Sequence, residues 1–378
     1  MDRHEPAATA VVDLDAYSHN LAVLGEVARG AQMMAVLKAD AYGHGLVECA
    51  RTARAHGVPW LGVTTISEAL TLRSATGEGR ILCWLYAPGA DFASAVENDI
   101  DLTASSAGQL AEIAAATGGR RARVHLKVDT GMSRNGALGA DWSTLVGAAA
   151  DAQRRGAVEI VGVWSHFACA DEPSHPSVAE QEETFREAVA ELNSMGIQPE
   201  FRHLSNSAAT LTRPSAHFDL VRVGIASYGL TPAPNVATSG EYGLRPAMTL
   251  TARLALVKRV PAGSGISYGH THVTDRDTNI GLIPVGYGDG VLRALSNRAT
   301  VLCAGARRPI IGRVCMDQFM IDLGDDAVDV GTPATLFGEG ADGAPTAQDW
   351  ADAADTISYE IVTRTGGRIV RRHLGDNA

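Results

Sequence analysis

The first two-thirds of the chain alternates short, almost wholly apolar runs with longer stretches in which apolar positions recur every three or four residues. The runs at 33–38, 60–65, 80–86, 100–105, 123–129, 159–166, 200–206 and 220–228 are continuous enough to be strands buried on both faces. Between them, 46–56, 67–75, 106–117, 143–155 and 179–195 carry helical periodicity. Such alternation predicts a parallel sheet, and eight strands predict a closed (β/α)8 TIM-type barrel of the α/β class. An open doubly wound sheet is the alternative; no G-x-G-x-x-G follows a strand, which weakens it. The segment 231–244 (TPAPNVATSGEYGL) is dense in turn residues and reads as a linker. Beyond it the period changes. Runs at 248–260, 279–284, 299–304, 309–323 and 333–337 are β-like and joined by short glycine turns, with one convincing helix at 347–356. The chain therefore reads as a barrel domain at 1–235 and a mostly β C-terminal domain at 236–378. The first ten residues are assignable to either.

Composition narrows the function classes. A chain of 378 residues is long enough for two sizeable cores. The net charge of −11 disfavours a nucleic-acid partner, which needs a basic face. The first residues, MDRHEP, hold no apolar signal core, and no apolar run reaches membrane-spanning length. Five scattered cysteines never form a C-x-x-C pair, which suits a reducing compartment. The expectation is a cytoplasmic protein with no membrane and no nucleic-acid partner.

Barrel active sites are built at the C-terminal ends of the strands, and the reactive residues gather there. Lys38 ends the first run, in VLKADAYGHG (36–45). A lysine in a partly dry place has a lowered pKa, and its neutral amine can form a Schiff base with an aldehyde. The plain alternative is a lysine whose charged tip snorkels to solvent. Arg134 follows the fifth run, His166 ends the sixth, Asn206 and Ser207 end the seventh, and Arg222, Gly224 and Ile225 lie in the eighth. Any one of these alone is weak evidence: a strand-end histidine is more often structural, and Arg222 has a neighbouring acid, Asp219, with which to pair. A small hydroxyl and bare backbone N–H groups after strands seven and eight suit a phosphate.

These stretches resemble the alanine racemase family from about Val11 to Arg371. The similarity is carried by the lysine decapeptide, Asp129-Thr130-Gly131-Met132-x-Arg134, Asn206-Ser207, Arg222-x-Gly224-Ile225, Ser267-Tyr268-Gly269, Gly286-Tyr287-Gly288-Asp289-Gly290 and Val314-Cys315-Met316-Asp317. The resemblance implies an enzyme that uses pyridoxal 5'-phosphate, held covalently by Lys38, to interconvert L- and D-alanine for peptidoglycan. It implies two acid/base groups on opposite faces: Lys38, and Tyr268 from the partner subunit of a head-to-tail homodimer. Tyr42, Asn206, Ser207, Gly224, Ile225 and Tyr359 would bind the cofactor, chiefly its phosphate, while Arg222 faces the pyridine nitrogen with His166 beside it. Arg134 and the Met316 backbone would hold the substrate carboxylate, with Asp317 in support. Lys127 aligns with a lysine that many members carry as a carbamate. Asp171, Tyr287, Arg293, Arg313 and Tyr359 match residues that narrow the access channel. No metal is implied.

The chemistry agrees with that pattern. Racemisation passes through a planar carbanion, so a proton acceptor on one face and a donor on the other is the direct solution. A tyrosine titrates near 10 when unperturbed, so it needs a cationic neighbour to act as a base near neutrality; His166 with Arg222 is the candidate source. Arginine at the pyridine nitrogen donates hydrogen bonds without protonating it. That weakens the ring as an electron sink and should suppress transamination. Ser133, Asn135, Ser205 and Gly288 depart from residues common in the family and leave substrate breadth open. Rival readings are a broad-specificity amino-acid racemase of the same fold, a non-catalytic carrier of the cofactor, a decarboxylase on the same barrel, which Arg222 disfavours, and a metal enzyme using His270 and His272, too few ligands for a site.

Overall fold

The computed structural model describes residues 6–375. Eight parallel strands run in chain order around a nearly closed barrel: Gln32–Val36, Trp60–Val63, Arg80–Cys83, Asp101–Ala104, Ala122–Lys127, Val158–Trp164, Phe201–His203 and Leu220–Val223. The first and last pair in parallel, Gln32 opposite Leu220. The seventh and eighth meet through two backbone hydrogen bonds instead of a ladder, Asp219 N–H to Arg202 C=O and Arg222 N–H to Ser205 C=O. All eight predicted runs are strands, but each stops short of its apolar run. Lys38, expected to end the first strand, lies two residues beyond it, because the backbone turns left-handed there.

Helices pack outside this sheet, as the sidedness of parallel crossovers requires. The predicted ones are present, as Leu46–Ala55, Ile66–Thr76, Ala107–Ala115, Ala140–Arg154 and Pro176–Ser194. Three were not anticipated: Leu14–Val27, Phe92–Glu97 and Ser207–Thr212. The first had a legible start, since Asp13 Oδ1 caps it by accepting from the N–H groups of Asp15 and Ala16 at 2.9 Å. The last two are six residues each, too short for a period to register. The barrel interior is plugged by Met34, Trp60, Leu82, Phe201 and Leu220.

The second region is a nine-stranded, largely antiparallel sheet with helices Ala347–Ala354 and Ser358–Thr363, the second of these also unanticipated. Two predicted runs, 248–260 and 309–323, each contain turns, giving Met248–Arg253 with Leu256–Val260, and Ala306–Ile311 with Phe319–Gly324. Ala8–Asp13 joins this sheet, antiparallel to Met248–Arg253 and parallel to Val370–Leu374. Residues 1–5 of the opening ten lie outside those described. The described chain thus runs from the β sheet into the barrel through Asp13. Asn20 ties the junction, donating to the carbonyls of Ser227 and Arg245 and accepting from Arg245 N–H at 2.8 Å. No described helix is long and apolar enough to cross a membrane.

Candidate functional site

At the C-terminal rim of the barrel lies a cavity of about 480 Å³. Of the expected site residues, Lys38, Tyr42, Lys127, Arg134, His166, Asn206, Ser207, Arg222, Gly224, Ile225 and Tyr359 all line it. Five strand ends, with their loops, and one residue of the β region thus converge.

Lys38 opens an unusual turn. Ala39, Asp40, Ala41 and Tyr42 all have φ between 53° and 55°, four successive left-handed residues without a glycine. Each costs roughly 1–2 kcal/mol against the right-handed form, so the surroundings must over-determine the turn. They do. Glu68 Oε1 accepts from Ala39 N–H at 2.8 Å, Asp40 accepts from Leu46 N–H at 2.8 Å, and Arg371 pairs with Asp40 at 2.7 Å. His44 Nδ1–H donates to the carbonyls of Ala41 and Tyr42, and His373 donates to His44 C=O at 2.7 Å. Two of these anchors come from the last strand of the β sheet. The turn swings Tyr42 back under the rim, where Gly224 receives it: a Cβ at 224 would stand 2.4 Å from the Tyr42 hydroxyl.

Cations dominate the electrostatics. Burial first, then Arg134 and Arg222, push Lys38 below the usual lysine range. The same causes take Lys127 down to about 8, with its Nζ 4.2 Å above the Trp164 ring centroid. Burial lowers Arg222 to about 9, leaving it a cation at neutral pH. Arg222 donates to the carbonyls of Ser165, His203 and Leu204 and to the ring nitrogens of His203 and His166. Asp219, its suggested partner from sequence, is taken by Arg202 at 2.7 Å.

His166 corrects an expectation. Burial, with Arg222 and Arg134 next, holds it well below the usual histidine range, so it is neutral and supplies no positive charge to a tyrosine; Arg222 remains the cation. Ser207 Oγ accepts from Gly224 N–H at 2.8 Å, which fixes its hydroxyl between two strand ends.

Seven expected residues do not line the cavity. Tyr268, 72% exposed, sits in a turn of the β region. Met316, Asp317, Tyr287 and Arg313 gather around it: Tyr287 N–H and Gly288 N–H donate to the carbonyls of Cys315 and Met316, and Ser267 Oγ–H donates to Arg313 C=O at 2.7 Å. Asp317 pairs with Arg368 at 2.8 Å. Arg293 is exposed in a nearby turn, and Asp171 is exposed on the barrel loop after the sixth strand. Conversely, Val36, Thr64, Trp84, Leu85, Asn135 and Trp164 line the cavity without having been singled out as site residues. Trp84 and Leu85 follow directly on the third strand, so their position carried a signal that their unreactive side chains hid.

The lining holds two amines held below their usual range, two arginines, hydroxyls and no carboxylate among the described residues. That donor set fits an anionic, phosphate-bearing aldehyde better than a metal ion. Fold and site together define a barrel enzyme built around a reactive lysine and an anion-holding rim.

Comparison with known proteins makes the assignment specific. The family profiles described as alanine racemase, N-terminal domain, and alanine racemase, C-terminal domain, match residues 12–232 and 247–373. The chain is 54% identical over 370 residues to the alanine racemase of Thermobifida fusca, covering 97% of this chain and 98% of that one. The crystal structure of alanine racemase from D-cycloserine-producing Streptomyces lavendulae superposes with a TM-score of 0.97 at 52% identity, covering 99% of this chain and 98% of that one. Alanine racemase from Streptomyces coelicolor gives 0.97 at 51% identity, covering 98% of each chain. The chain belongs to the alanine racemase family.

Proposed function

We propose that the protein interconverts L- and D-alanine with pyridoxal 5'-phosphate, supplying D-alanine for peptidoglycan in the cytoplasm. The observation that carries this reading is Lys38: a lysine with depressed pKa, held by a strained turn in a cationic cavity that offers no carboxylate among the described residues. When bound through Lys38, the cofactor supplies an electron-accepting ring that acidifies the substrate's α-hydrogen.

The chain's own groups do the rest. Ser207, Tyr42, Tyr359 and the backbone at Gly224 and Ile225 hold the phosphate, with Asn206 shaping that loop. Arg222 would donate to the cofactor's ring nitrogen without giving up a proton, with His166 neutral beside it. Arg134 and the Met316 backbone hold the carboxylate, and Asp317 steadies the Met316 loop. Lys127, available as a neutral amine near its pKa of about 8, would add carbon dioxide through its nitrogen and release a proton to solvent, and the resulting carbamate would anchor Arg134. Lys38 moves a proton on one face of the α-carbon. Tyr268 moves one on the other, reaching the cavity from a second copy in a head-to-tail homodimer, since in its own chain it is exposed away from the cavity. Asp171, Tyr287, Arg293 and Arg313 narrow the access channel and favour a small amino acid.

The test is D-alanine formation from L-alanine by purified protein with added cofactor, beside Tyr268→Phe. Rapid conversion that falls by about 10²–10⁴ in the variant supports both the activity and the second acid/base group. Cofactor bound at Lys38 without conversion would favour another amino acid or a carrier role.

A further inference from the structure

Below the rim, a chain of buried polar groups crosses the barrel, and the chemistry above makes no use of it. Asp101 opens the fourth strand, His125 lies in the fifth and His203 ends the seventh; all three are fully buried. Asp101 Oδ2 is 3.2 Å from His125 Nε2, His125 Nδ1 is 2.8 Å from His203 Nε2, and His203 Nδ1 is 3.3 Å from Arg222 Nη1.

The two ends fix the protons between them. Arginine only donates, so His203 Nδ1 is bare and its hydrogen sits on Nε2. That hydrogen points at His125 Nδ1, which is therefore bare in turn. His125 carries its hydrogen on Nε2, aimed at the Asp101 carboxylate. No other arrangement satisfies all three contacts. Burial keeps both imidazoles neutral, holding His125 below and His203 well below the usual range. Burial opposes the Asp101 charge, but the hydrogen bond from His125, with Arg80 and Arg123 at 2.5 and 2.6 Å, holds its carboxyl below the usual range.

The barrel is shaped around this chain. Pairing between the fifth and sixth strands slips by one residue at His125. A Cβ at Gly162 would lie 2.0 Å from His125 Nδ1, so only glycine leaves room for the ring. Trp164 stacks on His203 with planes 4° apart, and Trp60 meets His125 edge-on.

We propose that Asp101, His125 and His203 are positioning residues: a one-directional hydrogen-bond relay that orients the Arg222 guanidinium from the closed end of the barrel. The relay fixes the arginine while keeping its carboxylate two rings away, so that the cofactor's ring nitrogen meets donors only. This rests on the proposed function for its catalytic consequence, though not for the proton arrangement.

The first measurement is the imidazole nitrogen spectrum of holoenzyme labelled with 15N-histidine, with His125 and His203 assigned by single His→Gln variants. Both should be neutral with the hydrogen on Nε2. A hydrogen on His203 Nδ1, or a doubly protonated ring, overturns the relay. The second is Asp101→Asn in the intact enzyme, where an amide can donate into the chain and put a donor at both ends, so that one of its contacts must give way. We expect an altered His203 tautomer, a shifted visible spectrum of the bound cofactor and several-fold more transamination per racemisation. Unchanged tautomer, spectrum and partition overturn the relay. Arg123→Gln, which also contacts Asp101 but lies outside the chain, should lower stability and leave those readouts at wild-type values; an equal shift there would reduce Asp101 to a structural anchor and overturn the proposal. Correct tautomers in a protein that does not racemise alanine would support the relay while removing the proposed function.

Discussion

The barrel rim and the Tyr268 cluster of the β region are built to opposite plans. At the rim, Tyr42 and Arg222 are buried and Lys38 and His166 half-buried, and each is cross-linked by hydrogen bonds or held by a strained turn. Across the β region, Tyr268 is 72% and Met316 55% exposed. Their loops are held by hydrogen bonds, from the Ser267 hydroxyl to Arg313 C=O and from the Tyr287 and Gly288 N–H groups to the carbonyls of Cys315 and Met316, but their side chains are exposed. The rim is assembled within the chain, where burial and neighbouring cations shift its lysines and histidine. The Tyr268 cluster is an outward-facing surface, which the proposed homodimer would set against the rim of a second copy. An exposed large aromatic and an exposed methionine on hydrogen-bonded loops suit the contact surface that the proposed homodimer requires.

The strongest way to break this comparison is to separate the halves. Lys38→Ala and Tyr268→Ala should each be inactive alone. After verified subunit exchange, a one-to-one mixture should recover about a quarter of wild-type activity, since half the dimers are mixed and each mixed dimer holds one intact site. No recovery would place both groups in one chain's site and sink the shared-site reading. A second change acts within the barrel half. Arg222→Glu puts a proton-sharing carboxylate at the ring nitrogen, and transamination per racemisation should rise about 10-fold or more. An unchanged ratio, read by pyruvate release against D-alanine formed, would remove the electron-sink argument.

Smaller effects sharpen the contrast. Gly224→Ala drives a methyl to 2.4 Å from the Tyr42 hydroxyl. At an overpacking cost of about 1–3 kcal/mol, cofactor affinity should fall roughly 10-fold or more, with the secondary structure seen by circular dichroism unchanged. Affinity like wild type would mean Tyr42 is free to move.

The last is a pH effect on the lysine turn. Burial takes His44 down to about 4, against 6.5 ordinarily. Between those values the unfolded chain binds more protons than the folded one, so stability is lost as pH falls through the window from 6.5 to 4, by up to ~3 kcal/mol. His44→Asn keeps a donor toward the Ala41 and Tyr42 carbonyls and removes the titration, so its urea midpoint should change less between pH 6.5 and 4. Equal slopes would show that other groups set the acid limit.

What the sequence by itself determined were the features with a period or a fixed local chemistry. Eight apolar runs separated by helical stretches specified the barrel, because a strand buried on both faces needs no partner to declare itself. Position at a strand end then identified Lys38, His166, Ser207 and Arg222 as neighbours, since barrel topology brings strand ends together regardless of their spacing in the chain. What only the tertiary structure decided depends on contacts between distant segments. The left-handed run at 39–42 has no glycine to announce it and persists through Glu68, Arg371 and His373. The neutrality of His166 comes from burial beside Arg222, which no local pattern encodes. Asp101, His125 and His203 sit in three separate strands and read there as ordinary polar interruptions. They become a chain only when the barrel closes, with Gly162 leaving space for a ring that sequence alone could not place.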